Sequence, residues 1–266
     1  MTQTELTEHE TTDSSGETAD SGESVRAYTY DARLYTPLFY ASKEGSVIET
    51  DPVIAATALM HAVGYEYYDL EKRFALIGEE TTSPSYEHLR SLPFFVSELV
   101  PVNDVDVDER TFRTVSYSTE RAIVSQDSSV GEFVRGTKKP VPRRLEGSNA
   151  GWHKVREFVG LSPGTDFEFT IWTTQSHEPP EELGFRAGIK RTGEFRAERR
   201  SDPADQVSVN QYLLDSVYGV DDDTVIEIMR RSENYQRGND VRTNRFMGVD
   251  RSWFEEEIID RYILEG

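Results

Sequence analysis

At 266 residues, 36% of them hydrophobic, the chain is long enough to bury a core, with one main domain and elaborations as the expected plan. A formal net charge of −20, a pI near 4.7 and 23 arginines against six lysines fit a protein kept soluble in concentrated salt, and a haloarchaeal source is the expectation. The lack of cysteine excludes disulfides, cysteine-bearing zinc sites and a thiol nucleophile; the longest apolar run, Val53 to Val63, is too short for a bilayer and the start is neither basic nor hydrophobic, so a cytoplasmic protein without membrane contact is expected.

Residues 1–24 are almost all Thr, Ser, Glu, Asp and Gly, with seven acids and no Lys or Arg. Such a segment cannot bury enough apolar surface to offset its ordering entropy, so it reads as a disordered acidic tail ahead of a single α+β domain over 25–266. From Ala27 to Tyr35 small or apolar and polar residues alternate, as in a half-buried strand, and a short strand follows around Ser46 to Thr50. Asp51-Pro52 reads as an N-cap and first helical residue, opening an apolar helix from Val53 that Gly64 closes. Pro84 to Ser91 predicts a short helix, Phe94 to Val102 a strand, Asn103 to Arg110 an acidic turn and Thr111 to Ser118 a further strand. Periodicity is lost over about 125–152, where Gly, Ser, Pro and basic residues accumulate into a long basic insertion. Strands are expected at Val155 to Val159, at Asp166 to Thr173 with apolar residues at every second position, and at Gly193 to Arg199, the last two joined through Pro179-Pro180 and a short helical piece. Val209 to Val217, Asp223 to Arg231 and Trp253 to Leu264 read as helices. Strands and helices mix without a β-α repeat, which argues for an α+β fold with an antiparallel sheet.

Two stretches run against the charge of the chain. Residues 135–156 hold Arg135, Lys138, Lys139, Arg143, Arg144, Lys154 and Arg156 against the lone acid Glu146; residues 186–200 hold Arg186, Lys190, Arg191, Arg196, Arg199 and Arg200 against Glu194 and Glu198. Cations gathered at such a cost in self-repulsion suggest a polyanion, most simply a nucleic-acid backbone, although each island can instead pair with acids on the same surface. The planar arginine fork suits the close contacts that survive salt. Glycines 131, 136, 147 and 151 let the first island bend while Pro140 and Pro142 stiffen its centre. In the second, glycines before a strand can expose amides as an anion nest, and Phe185 or Phe195 can stack on an unpaired base, with core packing the competing reading, favoured for Phe195. Single-stranded RNA suits these residues best.

Catalytic signals are weak by comparison. The histidines at 9, 61, 88, 153 and 177 show no metal-ligand spacing; His61 reads as a packed residue, and His153, inside the first island, is the one candidate base. Nucleotide-binding glycine loops and a serine elbow are absent, Asp221-Asp222-Asp223 reads as a helix start with Asp223 as cap, and Glu255 to Glu257 opens the last helix. Neither a metal nor another cofactor is expected, which shifts the balance toward a binding protein.

The stretch Leu34-Tyr35-Thr36-Pro37-Leu38-Phe39-Tyr40-Ala41-Ser42-Lys43-Glu44-Gly45, followed by Ile48-Glu49-Thr50-Asp51-Pro52 and the apolar helix, resembles the opening of the Csc-one family, the Cas-five-type subunit of the type I-D CRISPR effector, or Cascade. Gly188 through Arg196 resembles the glycine-basic motif late in that family, with Glu194 where the family tends to be basic. The two motifs cover about a quarter of the chain; from Asp202 onward nothing is matched. The resemblance implies a ferredoxin-like, RNA-recognition-motif-like core with long insertions, a place at the 5′ handle of the crRNA, docking to the large polymerase-like subunit and the backbone subunit, and proximity to target DNA in the complex. It also implies a non-catalytic role, because another subunit cuts the precursor. On this reading Lys138, Lys139, Arg143 and Arg144 hold backbone phosphates, and Arg186, Lys190, Arg191 and Arg196 hold the handle near the glycine turn. The rivals are a metal-independent endoribonuclease that processes precursor crRNA with His153 or a tyrosine as base, and an acidic scaffold whose islands meet only protein carboxylates.

Overall fold

The computed structural model describes residues 24–40, 43–44, 47–70, 86–114, 154–236 and 244–264. The expected acidic tail, Ser24 apart, and the expected basic insertion lie outside them. In chain order the strands are β1 (Val25–Leu34), β2 (Lys43–Glu44), β3 (Val47–Glu49), β4 (Phe94–Val96), β5 (Val100–Pro101), β6 (Val107–Thr114), β7 (Lys154–Leu161), β8 (Asp166–Thr174), β9 (Glu182–Ala187), β10 (Gly193–Arg199), β11 (Gln206–Asn210) and β12 (Arg245–Asp250). The helices are α1 (Ala56–Tyr67), α2 (Asp222–Arg231), α3 (Glu233–Gln236) and α4 (Arg251–Phe254), which runs on into wider π turns over Glu255–Ile263.

The central sheet has the order β4-β8-β1-β10-β9 with β5 also on β8, and every pairing is antiparallel. Its frame is β1, whose alternation sends Tyr30, Ala32 and Leu34 to one face and Asp31 and Arg33 to the other. That inner face is paved with rings: Tyr30 stacks on Phe169 at 5.3 Å and Phe185 on Phe195 at 5.0 Å. Burying a phenylalanine is worth roughly 1.5–3 kcal/mol, so the paving is a main source of cohesion. Against it lies α1, whose Ala56, Leu59, Met60 and Val63 recur at the helical three-four spacing and are buried. The outer face is divided. Over β8 and β4 the C-terminal segment covers it, with Trp172 at 5.5 Å from Phe254 and its indole Nε1 donating to Glu255 Oε1 at 2.8 Å. Over β1, β10 and β9 it carries charge. A second sheet of order β2-β3-β7-β6 includes one parallel pairing, β3 with β7, and β11 pairs with β12.

Several elements depart from the sequence reading. Asp51 does not cap α1: its carboxylate accepts from Val53 N at 2.9 Å and pairs with Arg245 at 2.8 Å, so the helix begins at Ala56. Nor does Gly64 end it; the helix runs to Tyr67, and the bare Cα of Gly64 lets Leu70 and Leu92 close in. The strand expected over Phe94 to Val102 is interrupted because Glu98 N turns to Ser208 O (2.7 Å) and Leu99 N to Ile54 O (3.0 Å). The acidic turn is shorter than expected, since β6 already starts at Val107. The link after Pro179-Pro180 is mostly the strand β9, with Leu183, Phe185 and Ala187 inward, and its short helical piece is the 3-10 turn Ile189–Arg191. Val209 to Val217 is not one helix: β11 takes its start, and a π turn over Leu213–Val217 follows where Asn210 Oδ1 accepts from Leu213 N at 3.2 Å. The terminal helix starts two residues early, at Arg251, and β12 had no forecast.

Candidate nucleic-acid interface

The second basic island is the β9–β10 hairpin and its turn. Lys190 and Arg191 sit in the 3-10 turn Ile189–Arg191. Gly188 enters that turn at φ +84°, and a Cβ there would stand 2.6 Å from Leu38 Cδ1 and from the Phe39 carbonyl oxygen, so both conformation and space demand glycine. Three amides of the expected anion nest are already engaged. Ile189 N donates to Phe39 O at 2.6 Å, Arg191 N to Gly188 O at 3.0 Å and Thr192 N to Ile189 O at 3.1 Å. Thr36 locks the hairpin from the side, its hydroxyl donating to Thr192 O at 2.6 Å and accepting from Glu194 N at 2.8 Å.

Register decides which charges meet. Glu194 lies opposite Arg186, and its carboxylate takes Arg186 at 2.6 Å and Arg196 at 3.7 Å. Arg191 pairs with Glu66 of α1 and covers the Tyr65 ring at 4.9 Å; Arg196 covers Tyr35 at 4.9 Å. Arg199 pairs with Glu178 at 2.6 Å, and Arg200 with Glu168. Pairing with acids of the same surface is therefore the state of all five arginines of this island. Such exposed pairs are worth only about 0–1 kcal/mol each, so a phosphate can replace the carboxylate at little cost. Arg186 and Arg196 keep 55% and 67% of their side-chain surface exposed.

Across the open face the pairing also builds charged rows. One row places Asp166, Arg33, Arg196 and Gly184 side by side; the next places Glu168, Asp31, Glu198 and Glu182. Four aligned carboxylates repel one another and any strand of phosphates. Burial pushes the Glu168 carboxyl up, Arg200 opposes that, and Asp31 adds to the rise.

Phe185 and Phe195 are both buried in the stacked core pair, so neither offers a ring to a base. For Phe185 this corrects the expectation. Lys138, Lys139, Arg143, Arg144 and His153 lie outside the described residues, and of Lys190 only the backbone is described. The histidines are less scattered than their spacing suggests: His61 Nε2 and His88 Nε2 stand 2.8 Å apart, 27 residues apart in sequence. His61 Nδ1 is 2.7 Å from the Thr57 carbonyl, which only accepts, so its proton sits there and Nε2 accepts from His88. Packing and hydrogen bonding for His61 thus agree with the sequence reading. The cap of α2 is Asp221, not Asp223: Oδ1 accepts from Thr224 N at 3.0 Å. Tyr262 OH donates to its Oδ2 at 2.7 Å, and these bonds, that of Tyr262 foremost, hold the carboxyl down at about 2. Among the described residues there is no group of three metal-ligating side chains and no helix long and apolar enough to cross a membrane.

Residues 25–245 match the model of a family described as Type I-D CRISPR-associated protein Cas5/Csc1. Comparison with curated proteins gives no match. Among solved structures the chain is similar to one in "Type III-B Cmr-beta Cryo-EM structure of the Apo state", with 11% identity, 66% of this chain and 98% of that one covered, and a TM-score of 0.33. It is also similar to one in "Cryo-EM structure of the Type III-B Cmr-beta bound to cognate target RNA", with 10% identity, 65% and 97% covered, and a TM-score of 0.33.

Proposed function

This chain belongs to the Type I-D CRISPR-associated Cas5/Csc1 family, and from that premise we propose that it is a non-catalytic, RNA-binding subunit of a type I-D CRISPR effector complex. In this reading it caps the 5′ handle of the crRNA and docks to the large and backbone subunits. The carrying observation is the family match, which spans everything from β1 through the β9–β10 hairpin to the first residue of β12. The hairpin supports the reading: Arg186, Arg191 and Arg196 stand on one exposed unit whose ion pairs are exchangeable carboxylates, with Arg191 and Arg196 also resting on the Tyr65 and Tyr35 rings. The core is read as ferredoxin-like because β10 lies between β1 and β9, with α1 between β1 and β9 in the chain; β8, on the other flank of β1, departs from that pattern by preceding the hairpin.

Changing Lys138, Lys139, Arg143 and Arg144 together to alanine releases guide RNA from the assembled complex. If each meets one phosphate, the slope of log affinity against log salt becomes shallower by about four. Unchanged RNA retention removes those four from the interface. Incubation with repeat RNA leaves the RNA intact; discrete cleavage that His153→Ala abolishes would replace this reading with that of a ribonuclease.

A further inference from the structure

The central sheet has a notch. β10 pairs with β1 only over Tyr30 to Leu34, whereas β8 pairs with β1 back to Val25, so the first half of β1 keeps a free edge on the side of β10. Arg200 N donates to Thr29 O at 2.8 Å and is the last rung. The alternation of the ladder then turns the main-chain groups of Ala27 toward the gap. There the surface opens into a cleft of about 430 Å³, lined by Arg26, Arg199, Arg200 and Arg251 with Ala27, Tyr28 and a single acid, Glu178.

The chemistry of this wall is one-sided. Three of its guanidiniums already have acids behind them: Arg199 has Glu178 and Glu181, Arg200 has Glu168 and Asp31, and Arg251 has Glu255 at 2.5 Å with its Nε donating to Ala204 O at 2.6 Å. Each guanidinium carries five N–H donors, so spare donors remain. The Arg26 side chain is exposed and has no hydrogen-bond or ion-pair partner among the described residues. The Tyr28 hydroxyl is buried without a partner, beneath the Arg199 guanidinium at 5.0 Å from its ring. With the other three arginines paired, the unpaired Arg26 guanidinium, the Tyr28 hydroxyl and the open edge at Ala27 are what remain, and they suit a ligand that accepts hydrogen bonds and brings negative charge.

We propose that this cleft is a second anion site, holding a backbone phosphate of the same RNA strand apart from the hairpin turn. The inference rests on the RNA-binding reading above. On it, the strand passes from the turn around Lys190 and Arg191 to the notch beside Arg26, and avoids the acidic row of Glu168, Asp31, Glu198 and Glu182 between them.

The test is binding of a fluorescein-labelled single-stranded repeat RNA to the full chain, by anisotropy, over a salt series. Arg26→Gln is the informative variant, since its side chain has no partner among the described residues and its melting curve should match the parent. Arg230→Gln, an exposed cation on α2, is the control. Arg26→Gln weakens binding about three- to tenfold and makes the salt slope shallower by about one, whereas Arg230→Gln changes neither. Equal losses in both variants, or none in Arg26→Gln while the chain binds RNA, overturn the cleft and leave the functional reading standing. A chain that binds no RNA overturns both.

Discussion

Two arginine clusters use the same chemistry with opposite consequences. On the hairpin, Arg186 and Arg196 share Glu194 in the open. Between β12 and the start of α1, Arg245 is enclosed: it donates to Asp51 at 2.8 Å and to Val53 O at 3.0 Å, and stands 3.3 Å from Glu98, whose side chain is 0% exposed. Burial pushes the Glu98 carboxyl up even though Arg245 and Asn210 pull against it; burial likewise opposes the charge of Arg245, but Glu98 and Asp51 raise its pKa overall. Arg245 stays charged, because three acceptors surround it, and the strain falls on Glu98, whose Oε2 has the ion pair but no hydrogen bond. The enclosed cluster is an architectural clamp, tying β12 to the approach of α1. The open one is held so weakly that its partner can be exchanged, which is what a binding surface requires.

The sharpest way to break that contrast is Arg245→Met. Removing one partner of a buried pair leaves an uncompensated carboxylate, at a cost of about 3–5 kcal/mol. Denaturant titration would show it, and Arg245→Met combined with Glu98→Leu should recover most of the loss. If the single change costs less than about 1 kcal/mol, the cluster is not enclosed in the way its distances indicate.

Glu98→Gln gives a smaller effect with a defined sign. A carboxyl whose folded pKa is raised favours the folded state below its unfolded value, and that favour is lost as pH rises through the folded pKa. Glutamine keeps the neutral form throughout. The variant should therefore gain on the parent between pH 4.5 and neutrality, and the gap in melting temperature should widen upward in that range. A gap that narrows as pH rises would mean that the Arg245 attraction outweighs the desolvation.

The sequence disclosed what depends on neighbours in the chain. The alternations of β1 and β8 and the apolar character of α1 were readable; the demand for glycine at Gly188 was not, because it depends on Leu38 and Phe39 packing against it. It hid what depends on register. Glu194 showed as an acid out of place, but only the pairing of β9 with β10 shows that one carboxylate serves two arginines. Glu168, Asp31, Glu198 and Glu182 are scattered over 150 positions yet form one row. Asp51 looked like a helix cap because Arg245, almost two hundred residues later, is invisible to local pattern. The β9 strand was missed because two prolines and two glutamates precede it, a loop signal that masked the inward Leu183, Phe185 and Ala187.

The mildest perturbation, Glu194→Gln, probes the open cluster alone. Folding stability should change by no more than about 0.5 kcal/mol, since both guanidiniums stay solvated and the pairs they lose are exposed. The Glu194 backbone remains tied to Thr36 and to Tyr35 N, so the hairpin keeps its register. What changes is competition: a phosphate approaching Arg186 and Arg196 no longer displaces a carboxylate or faces its charge. RNA affinity of the full chain should rise about two- to fivefold, the equivalent of about 0.5–1 kcal/mol. The gain should vanish when Arg186 and Arg196 are also changed to glutamine. A rise that survives that double change would come from net charge alone, and no rise at all would mean that these two arginines face a protein neighbour instead of the guide.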